Sequence, residues 1–156
     1  MDLLKLIALD EEDLKILSAH LQDAVLLMQD MAYIPKERRF AMVLNRFNWA
    51  DAGEAKASNG AGFERRQAAL RFEKVAQAQF KDLDFGRPDT ALELLALHYE
   101  AEDAPNGCVT LIFAGGGAVR LQVDCIEAEL RDLGPVWRTQ RKPRHPEDNS
   151  GAAPAM

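Results

Sequence analysis

Apolar residues recur at two different spacings along this chain, and the change of spacing divides it into elements. Leu3 to Leu9 is a short apolar segment that meets a helix-start signal at once. Asp10 is a natural N-cap, and Glu11, Glu12 and Asp13 set negative charge on the open amides of a first turn. Leu14, Leu17, Leu21 and Ala24 follow at helical spacing, which predicts one amphipathic helix over 11–23. The spacing then shortens. Residues 24–34 carry apolar side chains on both parities, Pro35-Lys36-Glu37-Arg38 is a polar turn, and Phe40, Met42 and Leu44 alternate with Ala41, Val43 and Phe47. Two apolar stretches around a short charged turn predict a β-hairpin. Its second strand is apolar on both faces, as in the middle of a sheet.

Ala50 to Gly62 has no large apolar residue and reads as a mobile loop. Residues 64–82 fit strand and helix spacing about equally, and the strands on either side favour one long or bent strand. Residues 91–100 alternate, Pro105-Asn106-Gly107 turns, and Val109, Leu111 and Phe113 lead into Gly115-Gly116-Gly117. Val119, Leu121 and Val123 return on strict alternation. Asp124 and Glu127 then form a capping box, Ile126, Leu130 and Leu133 share a helical face, and Gly134-Pro135 is a stop signal. That punctuation predicts a closing helix over 125–133. From 138 to 156 no apolar period remains, and a disordered basic tail is expected.

The sum is an α+β domain over 1–137, with six or seven mainly antiparallel strands. A half-open barrel or sandwich would bury these faces, its open end plugged by the closing helix. The element order is similar to that of pleckstrin-homology-like barrels, a likeness of fold that says nothing about ligand.

Composition narrows the function classes. The 156 residues hold 19 Lys+Arg against 25 Asp+Glu, a formal net charge of −6. An acidic body repels polyphosphates, so nucleic acid is disfavoured except at the tail, where Arg138, Arg141, Lys142 and Arg144 outnumber Glu147 and Asp148. Runs free of polar residues and glycine, such as Ala24 to Met28, reach only five residues, far below the ~18 apolar residues of a membrane span, and no secretory signal is visible. The expected compartment is the cytoplasm. Cys108 and Cys125 are then expected to stay reduced, and with His20, His98 and His145 they show no zinc-ligand spacing. Neither a metal nor a cofactor is expected.

Candidate chemistry is sparse. The Gly115–Gly117 run lacks the helix and the Lys-Ser/Thr of a phosphate loop, and reads as a hairpin turn. Cys125 at the first turn of the expected closing helix has the place of an activated thiolate, with His20 or His98 as its base. The favoured reading is plainer: Cys125 as a packed core residue and His98 as a core-edge imidazole. The arginines weigh more. Arg38, Arg39, Arg46, Arg65, Arg66 and Arg71 flank one hairpin, near Phe47 and Trp49, and arginine and tryptophan are enriched at binding hot spots. The plainer account is an exposed strand face paired with local glutamates.

The stretches MDLLKLIALDEEDLKILSAHLQDAV, RRFAMVLNRFNW and IFAGGGAVRLQVDCIEAELRDLGPVW together resemble an uncharacterised family of small, mostly alphaproteobacterial proteins, catalogued as a domain of unknown function. The likeness covers about residues 2–138. It implies a cytoplasmic bacterial protein and brings no catalytic motif. The resulting expectation is a non-enzymatic binding or adaptor domain that recognises a protein partner or forms a homodimer, through Arg38, Arg39, Arg46, Phe47, Trp49, Arg65 and Arg66. Arg46→Ala with Trp49→Ala is expected to keep the fold and weaken capture. The alternative is a small-ligand binder or enzyme with a pocket between the sheet and the closing helix, using Cys125 and His98.

Overall fold

The computed structural model describes residues 3–47 and 63–139. In chain order the elements are β1 (Lys5–Ala8), α1 (Glu11–Leu21), β2 (Ala24–Leu27), β3 (Met31–Ile34), β4 (Arg39–Phe47), β5 (Phe63–Phe72), β6 (Val75–Lys81), β7 (Ala91–Ala101), β8 (Gly107–Phe113), β9 (Ala118–Val123) and β10 (Ala128–Thr139). They form one sheet of ten strands among the described residues, in the order β1-β10-β5-β4-β2-β7-β8-β9-β6, with β3 also on β4. The pairings are antiparallel, and the sheet curls without closing. The architecture is therefore α+β and mainly antiparallel, with more strands than the six or seven expected.

The inner face of the curl is the core. Phe40, Met42 and Leu44 of β4 face Leu70 and Phe72 of β5, and β7, β8 and β9 add Leu94, Leu111 and Leu121. Helix α1 lays Leu14, Leu17 and Leu21 onto this surface and packs chiefly on β7. Its start follows the sequence: the Asp10 carboxylate accepts the Asp13 amide at 2.8 Å, and the Asp13 carboxylate accepts the Leu9 amide at 3.0 Å. Ser18 Oγ accepts the Leu97 amide at 3.0 Å, in the part of β7 beyond Leu94 where the pairing with β2 has ended.

The β3–β4 hairpin turns through Pro35–Glu37, with Arg38 in the left-handed region at φ 53°. A 3₁₀ turn at Met28–Asp30 splits the expected first strand, so β2 leaves β3 and pairs mainly with β7. The Gly115–Gly117 turn joins β8 to β9 as a hairpin, with Gly115 at φ 91° and Gly116 at φ 102°.

Three expectations are corrected. First, no closing helix exists: 128–139 is strand β10, the partner of both β1 and β5. Ile126, Ala128, Leu130 and Asp132 are buried on the inner face, a period of two that helical spacing of Ile126, Leu130 and Leu133 had masked, and Glu129 is buried on the outer one. Asp124, read as a cap, instead pairs with Arg38 at 2.8 Å. Gly134, read as a stop, sits at φ 115° in a bulge between Asp132 and Val136. Second, 64–82 is two strands, separated at Lys74 (φ 59°) and sent to distant places in the sheet. Third, Arg138 and Thr139 belong to β10 rather than to a tail. The loop expected at 50–62, Trp49 and the rest of the tail lie outside the described residues.

Candidate functional site

The arginines expected to share one rim are parted by strand parity. Even-numbered residues of β4 face the core, so Arg46 follows Phe40, Met42 and Leu44 inward and is 4% exposed. There its guanidinium grips Asp132 with two bonds, Nε to Oδ1 at 2.9 Å and Nη2 to Oδ2 at 3.0 Å. Arg66, also buried, stands 3.9 Å from the same carboxylate, and the Leu4 amide donates to it at 2.9 Å. Burial pushes the Asp132 carboxyl up, but the bonds from Arg46 and Leu4 and the charges of Arg46 and Arg66 outweigh it and hold it below the ordinary value. His20, at the last turn of α1, is lowered by burial and then by the Arg46 charge, against Asp132.

Phe47 and Arg65 face each other on the opposite side of the sheet. Both are buried; the Arg65 guanidinium lies 5.7 Å from the Phe47 ring centre, and its Nη1 donates to the Asn45 carbonyl at 3.3 Å. Glu93 lies near them. Burial, then the hydrogen bond and charge of Asp23, push its carboxyl up to about 7 against the charge of Arg65. Arg38 and Arg39 are at the far end of β4, roughly 23 Å along an extended strand from Arg46. Arg38 pairs with Asp124, and Arg39 bonds Glu73 at 2.8 Å and Glu37 at 3.0 Å. The structure brings together Arg46 with Arg66, and Phe47 with Arg65. It does not join them to Arg38 and Arg39.

The pocket expected between sheet and closing helix disappears with that helix. Cys125 sits in the bend before β10, half-buried, with no helix start beneath it. His98 is exposed on β7, opposite Thr110 of β8. Beside it, Glu11, Leu14, Lys15, Leu97 and Tyr99 enclose about 60 Å³, a water-sized space. Among the described residues no cluster of His, Cys, Asp and Glu is placed to hold a metal ion, and no helix is long and apolar enough to cross a membrane.

Arg71, the remaining arginine of the expected set, stands instead with Arg131 on the outer face of β1, β10 and β5. Arg71 of β5 is opposite Glu129 of β10, Ala69 is opposite Arg131, and Lys5 of β1 flanks Arg131 on its other side. The Glu129 side chain is 9% exposed and is ringed by cations. Arg71 donates Nε to it at 2.9 Å and adds Nη2; Arg131 Nη2 reaches it at 3.2 Å, and Lys5 Nζ lies at 3.6 Å. A second carboxylate, Glu73, takes Arg71 Nη1 and Arg39. Burial works against ionised Glu129, yet the bonds and charges of Arg71 and Arg131 keep its carboxyl below the ordinary value. With Leu133, these side chains wall a groove of about 260 Å³ floored by Ala69. Glu129 thus fixes Arg71 and Arg131 in place, while the Arg131 side chain remains 54% exposed to solvent.

This constellation escaped sequence reading because it depends on pairing β5 with β10. Read as a helix, 125–133 places Glu129 and Arg131 on a solvated surface far from Arg71. The usable signal was the charge alternation Glu127, Glu129, Arg131 on one strand parity.

No curated protein and no solved structure matches this chain. A family match does extend over residues 4–145, taking in every strand of the sheet and both charged clusters, and by it the chain belongs to the family described as "Protein of unknown function (DUF2948)".

Proposed function

We propose that this chain is a cytoplasmic, non-enzymatic binding domain that takes an acidic segment of a protein partner on the outer face of β1, β10 and β5. The observation that carries this reading is the groove in which buried Glu129 holds Arg71 and Arg131 ready. A guanidinium already fixed loses less rotamer freedom on meeting a carboxylate, so more of the interaction appears as affinity. The location supports it too: four cations, Lys5, Arg39, Arg71 and Arg131, gather on a chain whose net charge is −6. Exposed Ile7, Val43 and Leu133 share that face and offer apolar contact beside the charge. About 260 Å³ is below the ~300–1,000 Å³ of small-molecule sites and suits one or two side chains of a peptide. Two free cysteines, Cys108 and Cys125, fit a reducing compartment.

The test is fluorescence anisotropy with labelled acidic and basic decapeptides. Acidic peptides carrying an apolar residue are expected to bind, more weakly as salt rises. Arg131→Gln is expected to weaken them several-fold while shifting stability by only about 1 kcal/mol, because the Arg131 side chain is 54% exposed and Arg71 and Lys5 still pair with Glu129. Equal binding by the folded variant, or no preference for acidic over basic peptides, overturns the reading.

A further inference from the structure

Strand β1 ends the sheet beside β10, and no described strand pairs with its other side. Two bonds show which of its main-chain groups face that side. The Asp132 amide donates to the Leu4 carbonyl at 2.9 Å, and the Leu4 amide donates to the Asp132 carboxylate at 2.9 Å, so Leu4 turns both its groups toward β10. Such groups alternate along a strand, which sends those of Leu6 the same way and those of Lys5 and Ile7 outward. The far side of β10 agrees. Just before it the Glu73 amide donates to the Glu127 carbonyl at 2.9 Å, so Glu127, Glu129 and Arg131 turn their groups to β5, away from Lys5 and Ile7. The open stretch ends there, because the Leu9 amide is taken by the Asp13 carboxylate at 3.0 Å.

The side chains beside those groups are exposed too. Lys5 and Ile7 share the outer face of β1. Lys5 stands directly opposite Arg131, at the closer of the two antiparallel spacings, about 4.5 Å between Cα atoms. Like charges so placed repel. Both turn to one oxygen, Oε2 of Glu129, at 3.6 and 3.2 Å.

We propose that β1 takes an acidic partner segment as an added antiparallel strand, with an acidic residue opposite Lys5 and an apolar one, two positions away, opposite Ile7. The outward amides and carbonyls of Lys5 and Ile7 form the main-chain bonds, and alternate side chains of the new strand fall on the outer face. There the acid supplies the second anion that Lys5 and Arg131 lack, and the apolar side chain covers Ile7. That charge match selects an acidic strand over a second copy, whose own β1 would bring another Lys5 to the same cations. The inference rests on the groove reading only in taking the partner to be acidic.

Labelled decapeptides and amide hydrogen exchange of the full chain test it. A peptide centred on glutamate, serine and valine is expected to bind and to slow exchange at the Lys5 and Ile7 amides, with little change at Leu6. N-methylation of its glutamate or valine removes an amide that faces β1 and is expected to weaken binding about tenfold or more, whereas N-methylation of the serine, whose amide faces away, changes it by about twofold at most. Ile7→Pro removes an outward donor and no internal bond, so it is expected to keep the urea midpoint and weaken binding to a similar degree. The peptide comparison needs no change in the protein. Binding that ignores methylation at all three positions overturns the added strand and leaves the acidic reading standing; acidic peptides that fail to bind overturn both. Protection at Lys5 and Ile7 that arises without peptide and grows with protein concentration places a second copy on the edge and overturns the proposal as well.

Discussion

Arg46 and Asp132 show how much depends on a single buried pair. Both are nearly inaccessible, and Asp132 also accepts the Leu4 amide, so the pair ties β4, β10 and the start of β1 together. Removing Arg46 takes both of its bonds from the buried Asp132 carboxylate and leaves it only the Leu4 amide and Arg66 at 3.9 Å. Arg46→Ala is therefore expected to cost about 3–5 kcal/mol in urea unfolding, against the sequence-based expectation that it keeps the fold intact. Arg46→Met with Asp132→Leu should recover only part of that loss, since the apolar pair carries no desolvation penalty of its own but takes the acceptor from the Leu4 amide and the counter-charge from Arg66. Glu93 gives a pH dependence of the opposite kind. Its folded value of about 7 lies above the usual 4.5, with Asp23 and Arg65 as the groups facing it. Between those values the folded chain holds a proton that the unfolded chain has lost. Stability is thus expected to fall as pH rises from roughly 4.5 through 7 and to level off above it. Urea midpoints measured from pH 5 to 8 should show that slope in wild type and lose most of it in Glu93→Gln. Asp132 and Glu129, both lowered, act with the other sign: their contribution is present above the unfolded carboxylate values and is lost as pH falls further into acid.

Among the elements, α1 and the β8–β9 hairpin were legible in advance, because their signals are local. Asp10 caps where a cap was read, and Gly115 and Gly116 turn where a turn was read. Strand β10 was not legible, because its local signals point the wrong way. Asp124, Glu127 and Gly134-Pro135 punctuate a helix, and only neighbours far off in sequence, β1 and β5, make twelve residues of strand more favourable. The groove shares that fate, since Arg71 and Glu129 meet only once β5 and β10 pair. Gly134 tests the account of β10. A Cβ there would meet no atom within 4 Å, so any cost comes from φ 115° alone. Gly134→Ala is expected to destabilise by about 1–2 kcal/mol, where a helix stop at the end of the domain would tolerate it with less.

At the scale of the whole molecule, the two charged clusters and the β1 edge gather at one end of the sheet. The β1-β10-β5-β4 end carries the buried Arg46–Asp132 pair inside and the Arg71–Glu129–Arg131 groove outside. The β9-β6 end carries neither.

The Leu4–Asp132 bond joins residues 128 apart in sequence. On a ribosome adding about 5–20 residues per second, Leu4 waits roughly 6–26 s before Asp132 has even been made. Throughout that interval the apolar segment from Leu3 to Leu9 has no strand to join, and nascent β5 has an open side. The last strand to be synthesised is the one that closes both, so the newborn chain is exposed to chaperones and to its neighbours until translation of this region is almost done.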